Sequence, residues 1–474
     1  MPAMRHTFPL LLWWVAAGMA AAAEAPVPAT VRESLAVDEA ALARAGLQVY
    51  WRLALPMRPA EQVTRVTLLD EHLYALTDRG ELFAIRAESG LVRWQRPIVR
   101  PGEVLFPLTH ASAEQGLGPV VATTPAWIAF LDRETGQEIP FVDPRTGQKR
   151  QNLSLDMAPN TSMVADANYL YGAMVNMQFA AYQRKDGFVR WVIGAGSPAS
   201  IAPRLLPGRV LFASDKGRFV MVSTERTDFG AVVWKDQMAT APLERVIGLT
   251  SQQRKLLWPR EATTTPLEPV FLSPTDLIFT ATDPVVYSID PRTGPANGQV
   301  RWRHGLTMRP SEGPAVVGDL VFQEDPGQGL LAIDRQSGRL RWLLPRGRRL
   351  LARAAGAVYA LGRDGLLFVA DEATGAIRDR IPSSGATFAP TDPAADAVFL
   401  ADTGGRVLCV RRSGSNPLKS NDFLPPPLMP ATTRATGGPG ASSAPAETEA
   451  APATTGPSEP RATGESDVLR SPRE

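Results

Sequence analysis

The feature that most constrains the fold of this chain is a short phrase that recurs along it. The phrase is a small apolar run, an acidic residue, two spacers, Thr-Gly or Ser-Gly, and a Trp that follows within a few residues. Its clearest copies lie at residues 84–90 before Trp94, 288–294 before Trp302, and 332–338 before Trp342. A phrase that repeats in this way predicts a fold built from stacked copies of one small unit.

Each part of the phrase has a physical role. The apolar run predicts a strand, the acid at its end accepts backbone N–H groups of a tight turn, and the Gly supplies the positive φ that closes the turn. The Trp on the next strand docks on a neighbouring unit, since one hairpin cannot bury such a face alone. We therefore interpret the recurrent acids as turn formers and not as catalytic carboxylates: Asp132, Asp290, Asp334 and Asp371.

The number of units follows from two counts that agree. Eight apolar hairpins recur along the chain, and eight outer strands accompany them, two of which lack Trp and lie around Ile139 and Ile377. Four strands in roughly 40–45 residues is the length of a propeller blade. The tryptophans predicted on the other six outer strands are Trp51, Trp94, Trp191, Trp234, Trp302 and Trp342.

The two ends of the repeat complement each other. The strand around Trp51 has no hairpin before it, and the last hairpin, which ends at Val410, has no Trp strand after it. We expect the first strand to complete the last blade, because closure leaves no free sheet edge. The sequence thus predicts an all-β fold, an eight-bladed propeller of four-stranded antiparallel blades over residues 49–413.

The flanking segments have different compositions. Residues 1–23 resemble a secretory signal, with Arg5 before an apolar run and small residues before Glu24; an uncleaved anchor is the alternative. Residues 24–48 form a lead-in with a short helix predicted within 28–47. Residues 414–474, rich in Pro, Ala and Thr, are predicted to be disordered. After signal cleavage we expect no membrane span and a monomer in the periplasm or cell envelope.

Two further stretches are candidates for a functional role. Residues 243–261 interleave apolar and basic side chains and predict either a functional excursion or a lid packed on the ring. A dense basic group either contacts an acidic partner or is a solvated face, and it comprises Arg346, Arg348, Arg349 and Arg353.

The sequence contains few candidates for catalytic or metal-binding residues. The histidines after the signal, His72, His110 and His304, show no metal-ligand spacing, and no common catalytic motif is present. The single cysteine, Cys409, lies among apolar residues and is predicted to be a core residue. With a net charge of +2 and mixed signs, the chain has no strongly basic face for nucleic acid. We predict no catalytic residue, no metal and no cofactor.

The Asp-x-x-Thr/Ser-Gly…Trp phrase resembles the tryptophan-docking repeat of pyrroloquinoline-quinone (PQQ)-like propellers, over roughly residues 49–412. That resemblance implies one of two classes. Quinoprotein dehydrogenases hold PQQ and calcium at the centre of the ring, with an adjacent-cysteine disulfide, a catalytic Asp and Glu/Asn ligands. Non-catalytic BamB-like propellers are interaction scaffolds of outer-membrane assembly.

This chain fits the scaffold class better. A single Cys409 excludes the adjacent-cysteine disulfide, and we find no match for the catalytic Asp or the calcium ligands. It departs from BamB in lacking a lipid-anchoring cysteine and in carrying a long tail. The resemblance therefore implies a non-enzymatic envelope scaffold for a protein or peptide partner; a PQQ- and calcium-dependent dehydrogenase and a carbohydrate-binding propeller are the alternatives.

We expect partners to bind hairpin turns that lie on a common face of the ring, since propellers present loops from every blade there. The candidate partner-binding residues in these turns are Arg79, Lys216, Asp283, Asp325, Arg363 and Gly404.

Overall fold

The computed structural model describes residues 35–112, 118–142, 146–224, 245–247, 265–291, 300–391 and 395–423. In these residues the strands form eight small antiparallel sheets and one additional hairpin. The same described residues contain one short α-helix and one turn of 3₁₀ helix.

The chain enters the fold through β1 (Ala36–Val37), α1 (Glu39–Arg44) and β2 (Leu47–Ala54). Asp38 caps α1, because its carboxylate accepts a hydrogen bond from the Ala41 N–H at 3.0 Å. The helix buries Ala41 and Leu42 between the last two blades. The short helix predicted in the lead-in is therefore present, and residues 28–34 of that prediction lie outside the described residues.

The first four blades follow in chain order, and each is a sheet of four strands. Blade I comprises β3 (Val63–Leu69), β4 (His72–Thr77), β5 (Glu81–Arg86) and β6 (Val92–Pro97). Blade II comprises β7 (Thr109–His110), β8 (Val120–Thr123), β9 (Ile128–Leu131) and β10 (Glu138–Ile139), and the additional hairpin of β11 (Phe141–Val142) and β12 (Lys149–Arg150) follows it. Blade III comprises β13 (Val164–Ala165), β14 (Tyr169–Met174), β15 (Gln178–Gln183) and β16 (Val189–Gly194). Blade IV comprises β17 (Arg204–Leu206), β18 (Arg209–Ala213), β19 (Phe219–Ser223) and β20 (Arg245–Ile247).

The remaining blades complete the ring. Blade V comprises β21 (Pro266–Leu272), β22 (Leu277–Ala281), β23 (Val285–Ile289) and β24 (Val300–Gly305). Blade VI comprises β25 (Ala315–Val317), β26 (Leu320–Asp325), β27 (Gly329–Asp334) and β28 (Leu340–Pro345). Blade VII comprises β29 (Gly347–Ala354), β30 (Ala357–Gly362), β31 (Leu366–Asp371) and β32 (Ile377–Ser384). Blade VIII comprises β33 (Val398–Ala401), β34 (Arg406–Arg412) and the N-terminal β2.

The ring closes as the sequence predicts. Strand β2 pairs along β34 from Leu47 opposite Arg412 to Ala54 opposite Arg406, with Trp51 opposite Cys409. A bridge between Phe388 and Ala401 occupies the innermost position of this blade. The prediction of an eight-bladed propeller closed by its first strand is confirmed.

Apolar side chains hold neighbouring blades together. The middle strands of each blade are buried on both faces, as in β22 and β5, because each sheet packs between two others. In the described residues the core separates into eight clusters, one at each junction between consecutive blades. The last junction, between blades VIII and I, includes Phe399 and Phe83.

Four of the repeat tryptophans join their blade to the next one in the ring. Trp302 is buried; its Nε1 donates to the Arg335 carbonyl at 2.8 Å, and its ring covers Gly338 in the turn of blade VI. That glycine has a φ of +71°, and a Cβ there would lie 2.6 Å from the indole, so both the turn and the Trp require glycine. The same arrangement recurs for Trp51 with Ala87 and Gly90, Trp94 with Arg133 and Gly136, and Trp342 with Glu372 and Gly375.

The recurrent acids shape turns. Asp334 accepts hydrogen bonds from the Ser337 N–H at 2.8 Å and from the Ser337 hydroxyl at 2.7 Å. Hydrogen bonds from Arg341 and Ser337 lower the pKa of Asp334 to about 2. Asp132 and Asp371 make the equivalent bonds to Thr135 and Thr374. Asp290 is buried and binds Arg301 at 2.9 Å, while its turn lies outside the described residues.

The structure differs from the sequence predictions at three places. The strand beside β19 in blade IV is Arg245–Ile247, within the segment that we predicted as an excursion, whereas Trp234 lies outside the described residues. Residues 414–423, assigned to the disordered tail, are ordered: a 3₁₀ helix spans Ser420–Phe423, and Phe423 packs on Phe399. In blade VII, β1 adds a fifth strand beside β32. Residues 424–474 lie outside the described residues.

Blade II has no docking Trp on its outer strand, and a leucine occupies the equivalent position. Leu153, which follows the β11–β12 hairpin, bridges to Ile128, and its side chain covers Gly187 in the turn of blade III. A Cβ on Gly187 would lie 2.6 Å from Leu153, much as a Cβ on Gly338 would meet Trp302. An aliphatic side chain thus performs the docking role of the indole at this junction.

Candidate functional site

The turns between the second and third strands of the blades define one face of the ring, which we call the turn face. Because consecutive strands are antiparallel and the blades repeat, these turns share a face with the linkers that lead to the next blade. The Gly80 carbonyl accepts from Ile98 N in the linker after blade I at 3.0 Å. Arg363 of blade VII likewise donates to the Asp325 carbonyl of blade VI at 3.2 Å. The neighbouring turns therefore lie side by side.

The six candidate residues fall into two groups. Arg79 and Lys216 are exposed, and among the described residues their side chains have no hydrogen-bond or ionic partner. Arg363 is exposed but pairs with Glu324 at 2.9 Å, and Gly404 is exposed at the turn of blade VIII.

The two candidate aspartates instead hold their own turns. Asp325 is fully buried and accepts from the Thr307 N–H at 2.8 Å and the Gly327 N–H at 3.0 Å. Burial alone would raise the pKa of Asp325, but these hydrogen bonds lower it. Asp283 is half-buried and accepts from the Tyr287 hydroxyl. Neither carboxylate is presented to a partner, so we interpret both as structural.

A cavity of about 600 Å³ lies at the centre of the ring, at its turn-face end. Its wall is made mainly by first strands and by linker residues that precede them, such as Pro107 and Gly313, with a contribution from β26 and β27 of blade VI. Gly313 is required there, since a Cβ would lie 2.2 Å from the Pro269 carbonyl oxygen. The charged residues that line the cavity are Arg65, Arg204, Arg348, Arg349, Glu268, Glu312 and Glu324.

The glutamates of the cavity are all bound within the protein. Glu312 pairs with Arg349, and Glu324 pairs with Arg363. Glu268 accepts from the Ala202 N–H at 2.8 Å and lies 3.9 Å from Arg204.

The arginines of the cavity are less well matched. Arg65 donates to the Leu105 carbonyl at 2.9 Å, and burial lowers the pKa of its guanidinium group. Arg348 is exposed and has no partner among the described residues. The Nε of Arg204 is buried and likewise has no acceptor there. The cavity therefore presents guanidinium groups that the described part of the chain leaves unmatched.

A second cavity, of about 720 Å³, lies on the turn face beside blade VIII and includes Gly404. Its acids are also satisfied internally: Asp402 accepts from the Arg406 N–H at 2.9 Å, and Glu61 accepts from the Thr77 hydroxyl at 2.6 Å.

A grouping of ionisable side chains between blades I and II brings two of the histidines close to one tyrosine. The Tyr74 hydroxyl contacts His110 at 3.1 Å, and the Tyr74 and His72 rings are 5.7 Å apart. Ligand atoms of Glu71, His72 and Glu134 lie within 4.8 Å of one another, a geometry that could hold a metal ion.

The carboxylates of this grouping are already neutralised. Arg133 binds Glu71 at 3.2 Å, while Arg86 and Arg93 bind Glu134 at 2.9 and 2.8 Å. Burial raises the pKa of Glu71, but the His72 hydrogen bond and the Arg133 charge lower it to about 2. We interpret the grouping as a buried ionic network that joins two blades.

Cys409 lies in β34, fully buried, and burial raises the pKa of its thiol far above the usual range. Its interpretation as a core residue is confirmed. No helix among the described residues is long and apolar enough to cross a membrane.

A closed ring of Trp-docked blades around a central cavity defines the class of PQQ-like β-propellers. The profile of the family described as outer membrane protein assembly factor BamB matches residues 127–257 and 282–421, and the chain belongs to this family. A comparison with curated protein sequences gives no match.

Solved structures show the same architecture. BamB from Moraxella catarrhalis is 14% identical with a TM-score of 0.53, and the alignment covers 78% of this chain and 99% of that one. The computationally designed Ika8 protein is 12% identical with a TM-score of 0.51, over 75% of this chain and 98% of that one. At such identities the likeness shows the fold alone.

Proposed function

We propose that the protein is a non-enzymatic scaffold of the cell envelope that binds a protein or peptide partner through its turn face. The observation that carries the proposal is that Arg79 and Lys216 are exposed on that face and have no side-chain partner in the part of the chain that the structure describes. The most regular residues of the repeat, by contrast, are engaged in turns and blade junctions. Membership of a family described as an outer membrane assembly factor supports a binding role.

The envelope location rests on two supports. One is the family, and the other is the predicted signal over residues 1–23, which lies outside the described residues. We infer export across the inner membrane and function in the periplasm or at an envelope surface.

The donor set of the central cavity does not fit a calcium-dependent dehydrogenase. Calcium requires 6–8 oxygen ligands, including carboxylates that are available to it. Glu312 and Glu324 are each paired with an arginine, and Glu268 accepts a hydrogen bond from the Ala202 N–H at 2.8 Å. The single cysteine also leaves no pair for the disulfide of that enzyme class.

The proposal is tested by affinity capture from the native envelope, with captured proteins identified by mass spectrometry. The test variant replaces Arg79, Lys216 and Arg363 by alanine. Loss of three rim charges weakens binding by about tenfold, so the specific partner should be depleted from the capture.

The control variant removes two exposed cations from the opposite face. Lys185 and Arg339 are exposed in turns between third and fourth strands and have no side-chain partner among the described residues. Alanine at both positions should leave capture unchanged. Equal depletion by the two variants, or by neither, would contradict a partner site on the turn face.

The enzymatic alternative has its own test. The purified protein is incubated with PQQ and Ca²⁺ and assayed for quinone absorbance and dye reduction with alcohols and sugars. We expect neither signal, and stoichiometric quinone binding with substrate-dependent dye reduction would overturn the assignment as a non-enzyme.

A further inference from the structure

We propose that the central cavity receives carboxylate side chains from an acidic peptide segment of the partner. The inference rests on the proposed function, because it names the chemistry of the segment that the turn face binds. It assigns Arg65, Arg204 and Arg348 as the residues that receive those carboxylates.

The size and position of the cavity suit such a segment. A volume of about 600 Å³ is within the range of ligand sites and holds a few side chains but not a folded domain. The cavity lies at the turn-face end of the ring, so a peptide bound across the turns can insert side chains into it.

The unmatched guanidinium groups determine the charge of the ligand. Burying a cation without an anion is costly, and within the described residues the Leu105 carbonyl is the one hydrogen-bond partner of the Arg65 side chain. Arg204 lies 3.9 Å from Glu268, and its buried Nε has no acceptor among those residues. Carboxylates of a partner would supply the missing acceptors and form charge-assisted hydrogen bonds.

The rim around the cavity also presents cations whose charge is not matched by nearby acids. The turn-face acids are engaged internally: Asp78 accepts from Gln62 N, Asp215 from Ser200, and Asp364 lies 3.7 Å from Arg346. The cations Arg79, Lys216 and Arg309 have no side-chain partner among the described residues. This surface therefore complements acidic residues and disfavours basic ones.

The arrangement favours several spaced carboxylates over one compact anion. Arg65 belongs to blade I, Arg204 to blade IV and Arg348 to blade VII, so the three approach the cavity from widely separated blades. A single phosphate is held best by donors that converge on one point. A segment with several Asp or Glu residues can satisfy donors that are spread around the ring.

The experiment measures binding of fluorescein-labelled hexaglutamate to the full chain by fluorescence anisotropy at low salt. We expect saturable binding that weakens as salt is added, and none to labelled hexalysine. Replacing Arg65 and Arg348 by glutamine should weaken hexaglutamate binding by about tenfold for each arginine removed.

Two controls keep the test decisive. The pair Lys185→Gln and Arg339→Gln removes the same charge from the opposite face and should leave hexaglutamate affinity within about twofold, since distant exposed charges contribute little. The exposed Arg348→Gln single variant retains the packing of Arg65, so a fold defect cannot account for its weaker binding. Equal loss in the opposite-face control, or unchanged affinity in Arg348→Gln, overturns the proposal.

Inorganic phosphate distinguishes the source of the anion. Unlabelled hexaglutamate and inorganic phosphate are each added to displace the labelled hexaglutamate. If phosphate displaces it at concentrations as low as those at which unlabelled hexaglutamate does, the cavity is a small-anion site and the peptide assignment is overturned. The two proposals can fail separately. The cavity assignment fails, and the proposed function stands, if the Arg79/Lys216/Arg363 variant loses the envelope partner but replacement of Arg65 and Arg348 leaves hexaglutamate affinity unchanged. If hexaglutamate requires both arginines but envelope capture is unaffected by the face variant, the proposed function fails instead.

Discussion

The docking of Trp302 on the turn of the next blade predicts a specific cost for Gly338→Ala. In the wild-type chain Gly338 has a φ of +71°, and a Cβ would lie 2.6–2.7 Å from three atoms of the Trp302 indole. Such a contact cannot be relieved without moving either the Trp or the turn. The hydrogen bond from Trp302 Nε1 to the Arg335 carbonyl, 2.8 Å long, is then weakened as well.

The magnitude follows from a comparison with Gly356→Ala. Gly356 has the same φ of +71°, and nothing lies within 4 Å of its Cβ position. Both variants pay about 1–2 kcal/mol of left-handed strain. Gly338→Ala adds an overpacking penalty of about 1–3 kcal/mol and a weakened hydrogen bond of about 1 kcal/mol. We therefore expect Gly338→Ala to be less stable than Gly356→Ala by about 2–4 kcal/mol.

Equilibrium urea unfolding, followed by far-UV circular dichroism, measures this difference from the two midpoints at a common slope. The change in unfolded-chain entropy is shared by both Gly→Ala variants and cancels. Equal destabilisation of the two variants would show instead that strain at positive φ explains the whole effect and that the Trp contact contributes nothing.

Two further predictions concern closure and acid stability. Trp51→Ala removes the indole that donates to the Ala87 carbonyl and covers Gly90. It should lower the free energy of unfolding by about 3 kcal/mol and speed amide hydrogen exchange in β2 and β34. Unchanged exchange in these two strands would argue against closure of the ring by β2. The pKa of Asp334 is lowered to about 2, so its carboxylate stabilises the folded chain above about pH 4, and this contribution is lost as pH falls towards 2. Urea unfolding of the wild-type chain and of Asp334→Asn measures this contribution. The difference between their free energies of unfolding should be largest above about pH 4 and shrink towards pH 2. A difference that stays constant with pH would contradict the role of the Asp334 charge.

The repeat phrase made the architecture predictable from sequence. A Trp placed after an Asp-x-x-Ser-Gly turn leaves a strong pattern, because the indole needs a glycine beneath it and the turn needs the acid. Counting these patterns led to eight blades, and the unpaired strand at Trp51 led to closure with β34.

Other features could not be predicted in this way. Leu153 docks on Gly187 without any pattern that distinguishes it from an ordinary aliphatic residue. The strand at Arg245–Ile247 has no Trp, so the regular spacing pointed to Trp234 instead. Phe423 is buried through a contact with Phe399, which composition alone does not indicate.

The candidate site was predicted in part. The turns that carry Arg79 and Lys216 were identified, whereas Asp283 and Asp325 prove to be turn acids like those of the repeat. Arg348 was noted as part of a basic group, but Arg65 and Arg204 carry no motif. The cavity that they line is created only when first strands of distant blades meet at the ring centre.

We propose that partners bind the turn face while the repeat residues maintain the ring. Site-specific photo-crosslinking distinguishes the two faces, with a photoreactive residue placed at Lys216 on the turn face or at Lys185 on the opposite face. Both side chains are exposed, so the two positions differ in face and not in accessibility. We predict a discrete crosslinked partner from position 216 and none from position 185 in intact cells. The same adduct from position 185, or adducts from 185 alone, would contradict the claim.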